Sequence, residues 1–259
     1  MTDEIRLNRF LADSGICSRR EADQLIADEK VTVNGTTASL GMKIDPSKDR
    51  VLCKGSPVRR RDLEKRPYVY IALNKPKGIT CTSDTRRRDN IIDYLNFDRR
   101  IFTIGRLDRD SEGLILLTDN GGIVNKILRA GNRHEKEYLV SVDRPYDAHF
   151  LQQMEEGVYI LGQKTLPARC RRVSSNTFRI CLHQGLNRQI RRMCSSLGYE
   201  VTRLTRTRIM NIALSPLKTG EWRYLSPKEV DQLMGLLSSS GNESDTSVKR
   251  QNRGITPGF

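Results

Sequence analysis

Residues 104–121 read IGRLDRDSEGLILLTDNG, a charge-crowded, glycine-flanked turn followed at once by an apolar run. The run LILLT, bounded on both sides by turn-forming residues, reads as a buried strand. A chain built this way must open a strand at the rim of a sheet and present the side chains of the turn there. Asp108 is a carboxylate of that turn, two residues after Arg106, and Asp110 and Asp119 are its competitors within the same segment. Asp119 suits the Asp-Asn-Gly turn and helix start that follow and reads as structural.

The rest of the chain supplies partners for such a strand. YVYIALNKPKG (68–78) is expected to be a strand entering a turn, with further strands at 101–104, 114–118, 137–142, 177–182 and 201–207. Helices are expected near 121–129, 147–156, 186–197 and 226–237, the last opened by Ser226-Pro227-Lys228-Glu229, a capping box with proline in the first helical position. Strands and helices are interspersed without a regular βαβ rhythm. That pattern predicts an α+β fold with a mixed, largely antiparallel sheet flanked by helices.

Residues 5–66 read as a separate small α/β unit. Leu7, Phe10 and Leu11 form a short helical stripe that Gly15 ends, and Ser18 and Glu21 have capping-box spacing for a second helix with Ala22, Leu25 and Ile26 inward. Val31, Val33 and the Asn34-Gly35 turn then begin short strands. Arg19 and Arg20 lie in the first turn of the second helix, where they oppose the helix dipole unless an anion joins them. The polar run RRRDLEKRP (59–67) is expected to be a linker, 67–237 a larger domain, and 238–259, almost without apolar residues, a disordered tail.

Charge narrows the partner. The chain has 45 Lys+Arg against 31 Asp+Glu, a formal charge of +14, which favours a polyanion. Arginines 188, 191, 192, 203, 206 and 208 crowd one stretch that holds a single acid, Glu200. Arginine rather than lysine suits forked contacts to phosphate. The six cysteines form no CxxC pair and the three histidines no ligand-spaced cluster, so neither a disulfide framework nor a zinc site is expected. No apolar stretch approaches the ~20 residues that span a bilayer. With no basic start and apolar centre at the amino terminus, the expected location is the cytoplasm.

Three segments, 104–121, KEYLV at 136–140 and LNRQIRRMCSSLGY at 186–199, stand in the order and form of the motifs of RNA pseudouridine synthases. The chain resembles the branch of that family that modifies ribosomal RNA, over nearly its whole length. The small amino-terminal unit also resembles an RNA-binding domain shared by a small-subunit ribosomal protein and many RNA-modifying enzymes. The reaction so implied breaks the bond from the ribose anomeric carbon to N1 of uracil, turns the base, and joins C5 to the same carbon. Nothing is oxidised, reduced or hydrolysed, so no cofactor or metal is expected, and the sequence shows no phosphate-binding glycine loop.

The resemblance also distributes roles. Asp108 matches the catalytic aspartate, Tyr138 the tyrosine that stacks on the flipped uracil, and Arg191 the basic partner of the catalytic carboxylate. Arg106 matches the wedge that fills the gap left by the flipped base. Arg188 or Arg192 is expected to reach phosphate, as are Arg19 and Arg20, and the assignments within 188–192 can be permuted. Many family members carry histidine where this chain has Arg188, a departure that leaves the nucleophile untouched. The substrate implied is a stem-loop of large-subunit ribosomal RNA, acted on by a monomer. A transfer-RNA anticodon stem-loop is one alternative. A catalytically silent ribosome-assembly factor is the other, against which the retained Asp108 argues.

Overall fold

The computed structural model describes residues 4–59, 67–84, 86–129 and 133–238. They group into two compact units that divide between Val69 and Tyr70, with Asp119–Gly121 grouped with the first. The expected division was at 66/67. Most of the expected linker, and the expected tail after Ser238, lie outside the described residues.

In the first unit, strand β1 (Ile5–Arg6) leads into helix α1 (Leu7–Asp13), and α2 (Arg19–Ala27) follows. Strands β2 (Val31–Val33), β3 (Thr36–Thr37), β4 (Lys43–Ile44), β5 (Val51–Cys53) and β6 (Ser56–Val58) complete it. β2, β3, β5 and β6 form one sheet in the order β3-β2-β5-β6, and β4 pairs with β1. The expected helical stripe is the core: Leu7, Phe10 and Leu11 pack with Ala22, Ile26, Val31, Ile44 and Val51, while Leu25 is only partly covered. Ser18 Oγ accepts the Glu21 amide at 3.0 Å and Glu21 Oε2 accepts the Ser18 amide at 2.6 Å, closing the capping box. The box therefore takes one of the amides that an anion at this helix start would have met. What remains is the pair Arg19 and Arg20, both exposed and without a side-chain partner among the described residues.

The second unit is built on a nine-stranded sheet. Its elements are β7 (Tyr70–Lys75), α3 (Ile91–Leu95), β8 (Phe102–Ile104), β9 (Glu112–Thr118), α4 (Gly121–Leu128), β10 (Lys136–Val142) and α5 (Ala148–Glu156). A two-stranded hairpin, β11 (Tyr159–Ile160) and β12 (Gln163–Lys164), precedes β13 (Arg169–Arg172), β14 (Thr177–Leu182) and α6 (Gln189–Ser196). The chain then runs through β15 (Val201–Ile209), β16 (Ile212–Ala213), β17 (Trp222–Tyr224) and α7 (Pro227–Ser238). The sheet order is β13-β14-β10-β15-β9-β7-β17, with β16 on β15 and β8 on β9. All its pairs are antiparallel except β15 with β9.

Elements with too little pattern to read are the unexpected ones. α3 is a five-residue helix whose cap, Asn90, accepts the Asp93 amide, and β13 and β17 are polar or three-residue edge strands. α6 begins at Gln189 rather than near 186, because Arg188 is left-handed (φ 48°) and Gln189 Oε1 takes the Leu186 amide at 3.0 Å. The parallel pair decides where chemistry can occur. β9 and β15 are entered at the same end of the sheet, and there Arg188 and Arg191, at the start of α6, meet the turn before β9.

Candidate active site

The turn 105–111 is held on several sides by main-chain contacts. Gly78 donates to Arg109 O at 2.7 Å, Leu107 N–H points at Cys81 Sγ at 3.4 Å, and Ser111 N–H closes back on Asp108 O at 3.1 Å. Arg109 Nε reaches Asp89 Oδ2 at 2.9 Å. Gly113 (φ 103°) lets the strand start lie directly on the backbone of Arg206 in β15. This bracing fixes Asp108, half-buried, in the wall of a cavity of about 700 Å³ that Arg106, Tyr138, Lys136, Arg188 and Arg206 also line. A cavity of this size suits one nucleotide-sized ligand.

Asp108 makes no side-chain hydrogen bond among the described residues. Its nearest cation is Arg188, with Nη1 3.9 Å from Oδ2. Arg191, expected on this carboxylate, lies instead on the neighbouring acid: its Nε is 3.4 Å from Asp110 Oδ2 and its Nη2 donates to Asp110 O at 3.2 Å. Arg188 forks onto the same Asp110 carboxylate at 3.1 and 3.0 Å. The correction has a simple cause. Arg188, at the left-handed residue before α6, and Arg191, one turn along, both reach the exposed shoulder of the turn, where Asp110 stands. Burial raises the Asp110 carboxyl, but the Arg188 hydrogen bond and the Arg191 charge outweigh it and hold it below the ordinary carboxylate range. Asp110 is thus held by two arginines on the shoulder of the turn, and Asp119 accepts the Val69 amide at 2.9 Å.

The arginine-rich stretch is more inward than its density implied. Arg203 pairs with Glu112 at 2.6 Å, Arg208 with Glu135 at 2.8 Å, and Arg206 is only 3 % exposed. Arg192 is exposed and turns back on Asn187, 3.1 Å from its carbonyl. Arg188, Arg191 and Arg192 together line a second groove, of about 600 Å³, that shares Arg188 with the cavity. Arg106 is exposed and its guanidinium has no partner among the described residues. Tyr138 is half-buried on β10, opposite Arg206 of β15, next to a bulge between Glu137 and Tyr138.

The burial of three cations, Lys75, Lys136 and Arg206, escaped the sequence reading. Lys75 Nζ donates to Pro76 O and Ile79 O, each at 2.9 Å, and burial lowers its pKa. Among the described residues Lys136 Nζ has a single long bond, 3.3 Å to His134 O, and burial with the nearby Arg206 pushes it down to about 8. Strand alternation held a signal, as the position of Arg206 illustrates. Arg206 stands two residues after buried Leu204, so it shares that inward face.

Residues 69–196 match the family model described as RNA pseudouridylate synthase, and residues 5–51 match the S4 domain. Over 245 residues the chain is 50% identical to the dual-specificity RNA pseudouridine synthase RluF of Escherichia coli (strain K12), covering 95% of this chain and 83% of that protein. The chain belongs to the RNA pseudouridine synthase family. It is also 35% identical over 246 residues to the ribosomal large subunit pseudouridine synthase B of Bacillus subtilis (strain 168), covering 92% of this chain and 98% of that one. A solved pseudouridylate synthase superposes with a TM-score of 0.63 at 29% identity, covering 88% of this chain and 99% of the other. This synthase is therefore an RNA-modifying isomerase with an amino-terminal S4 domain. Among its described residues no helix is long and apolar enough to cross a membrane, and no three His, Cys, Asp or Glu are grouped to hold a metal ion.

Proposed function

We propose that this synthase isomerises a specific uridine in a stem-loop of large-subunit ribosomal RNA, with Asp108 as the nucleophile. The observation that carries the reading is the Asp108 carboxylate itself: it stands in the cavity wall with Tyr138, and no hydrogen bond from the described residues occupies its lone pairs. A carboxylate so placed attacks the anomeric carbon as the bond to N1 breaks. Tyr138 stacks on the extruded uracil with its hydroxyl near the atoms that exchange protons. Arg106, unpartnered at the cavity rim, enters the space the base leaves and offsets part of the few kcal/mol of unstacking. Arg188 is the nearest cation to the nucleophile, and Arg191 acts through Asp110 by bracing the turn. Arg192, exposed in the adjoining groove, takes backbone phosphate.

The ribosomal substrate is supported by the name of the Bacillus subtilis relative. A transfer-RNA anticodon stem-loop is the second reading, supported by the dual specificity named for the Escherichia coli relative. Carbodiimide primer-extension maps of ribosomal and transfer RNA, from cells with and without the gene, decide between them. The expected result is loss of at least one pseudouridine from large-subunit RNA. Loss confined to transfer RNA installs the second reading, and unchanged maps overturn both.

The amino-terminal unit is assigned to docking, with Arg19 and Arg20 on phosphate. Arg19→Ala/Arg20→Ala is then expected to flatten the dependence of log affinity on log salt by roughly 1 to 2 units, at ~0.7–0.9 per phosphate contact. Turnover at saturating RNA should stay near that of the parent, because only uniform binding is lost. An unchanged slope with reduced saturated turnover would place this unit in the active site instead.

A further inference from the structure

Charge around the cavity is out of balance. Arg188, Arg191, Lys75, Lys136 and Arg206 stand against the carboxylates of Asp108 and Asp110, and Asp110 is already shared by Arg188 and Arg191. Lys75, Lys136 and Arg206 are 0 %, 8 % and 3 % exposed, and none has a carboxylate within ion-pair distance among the described residues. Buried cations are tolerated when a partner anion or a full set of hydrogen bonds repays their desolvation. Lys75 has two carbonyls and does not line the cavity. Lys136 and Arg206 do line it, and both are under-satisfied. Lys136, with three donors, makes one bond of 3.3 Å. Arg206 spends Nε on Leu114 O at 2.6 Å and Nη1 on Arg106 O at 3.4 Å, and its Nη2 is buried with no hydrogen-bond partner among the described residues.

The reaction produces an anion that such a pair could hold. When the carboxylate of Asp108 forms its bond to the anomeric carbon, the bond from that carbon to N1 breaks and its electron pair leaves with the uracil, spread over N1 and the two carbonyl oxygens. After the base turns, C5 attacks the same carbon and the pair of the carbon–carboxylate bond returns to Asp108. C5 then loses a proton and N1 gains one, so nothing is consumed. Between the two bond exchanges the detached uracil is a free anion within the cavity, and a preorganised cationic surface lowers the barrier to forming it.

We propose that Lys136 and Arg206 are catalytic residues that contact the detached uracil and hold its negative charge while it turns. This deepens the proposed function and rests on Asp108 as the nucleophile. The depressed proton affinity of Lys136 agrees with it, since an unpaired ammonium in this setting lacks the anion that would stabilise it. Arg206 also ties the site together. Its backbone lies on Gly113 and its guanidinium on the carbonyl of Arg106, so the group that would hold the base is built into the strand that positions the nucleophile turn.

The test measures kcat and KM of the full chain on a stem-loop RNA that the wild type modifies, beside thermal unfolding. Lys136→Met is expected to lose about 10²–10³-fold in kcat with KM within several-fold, and to unfold no earlier than the parent. Lys136→Gln removes the charge but leaves an amide donor at the position, so it must fall too. Lys136→Arg, which restores the charge, should recover most of the rate. A folded Lys136→Gln with wild-type kcat, or a loss confined to KM, overturns the proposal. Arg206→Met should show the same split, and a lowered melting temperature with unchanged kcat would make Arg206 a structural clamp and remove it from the site. Failure of the proposed function would appear elsewhere, as a wild type that modifies no such RNA or an Asp108→Asn variant that retains activity.

Discussion

Asp108→Asn is expected to lower pseudouridine formation by at least about 10³-fold while leaving RNA affinity within several-fold of the parent. The amide keeps the size and planarity of the carboxylate, and Asp108 makes no side-chain hydrogen bond among the described residues that the exchange would break. Its one ionic neighbour, Arg188 at 3.9 Å, keeps its fork on Asp110 in the variant. The brace of the turn therefore survives and only the attacking oxygen is lost. Single-turnover conversion of a modified stem-loop, measured beside a binding titration and a melting curve, reads all three quantities. Wild-type conversion would end the assignment of Asp108. A joint collapse of affinity and melting temperature would make it a structural turn residue.

Gly113→Ala is expected to be strongly damaging to the catalytic unit. Gly113 has φ 103°, a conformation that L side chains rarely adopt, and a Cβ there would run into the backbone of Arg206, pressing on its carbonyl oxygen and lying 2.7 Å from its nitrogen. Neither atom can move freely, because this is the parallel junction of β9 and β15. Backbone strain and overpacking together should cost at least about 3 kcal/mol. In a unit of this size that corresponds to a fall of roughly 6–12 °C in Tm. Activity should fall beyond what the unfolded fraction explains, since separating the strands at Gly113 moves both the Asp108 turn and Arg206. A variant that melts with the parent would show that the junction opens without strain, and would weaken the case that it positions the site.

Local pattern carried much of the architecture. The stripe of Leu7, Phe10 and Leu11, the Ser18–Glu21 and Ser226–Glu229 capping boxes, and the buried run ending at Thr118 are all written in neighbouring residues, and each is present in the fold. The three motif segments likewise converge, with Arg106, Asp108, Tyr138 and Arg188 lining one cavity. Short or polar elements such as α3, β13 and β17 left no comparable trace, because a five-residue helix or an edge strand has no period long enough to read.

Which charge meets which was not legible. In the sequence, the arginines from 188 to 208 look alike and face a single acid, so they read as one RNA-facing cluster. In the structure Arg203 belongs to Glu112 and Arg208 to Glu135, while Arg188 and Arg191 converge on Asp110 and Arg206 is buried. Those acids lie 73 to 91 positions earlier in the chain, and only the order of the strands brings them within reach. The sequence by itself thus determined the longer elements, the turn that carries Asp108 and the class of partner, because periodicity, capping and motif order are properties of residues close along the chain. The tertiary structure alone decided which cations are spent on internal carboxylates and which are left facing the cavity. Ion pairing depends on distances of a few ångströms between strands, and burial sets how strongly each unpaired charge calls for an anion.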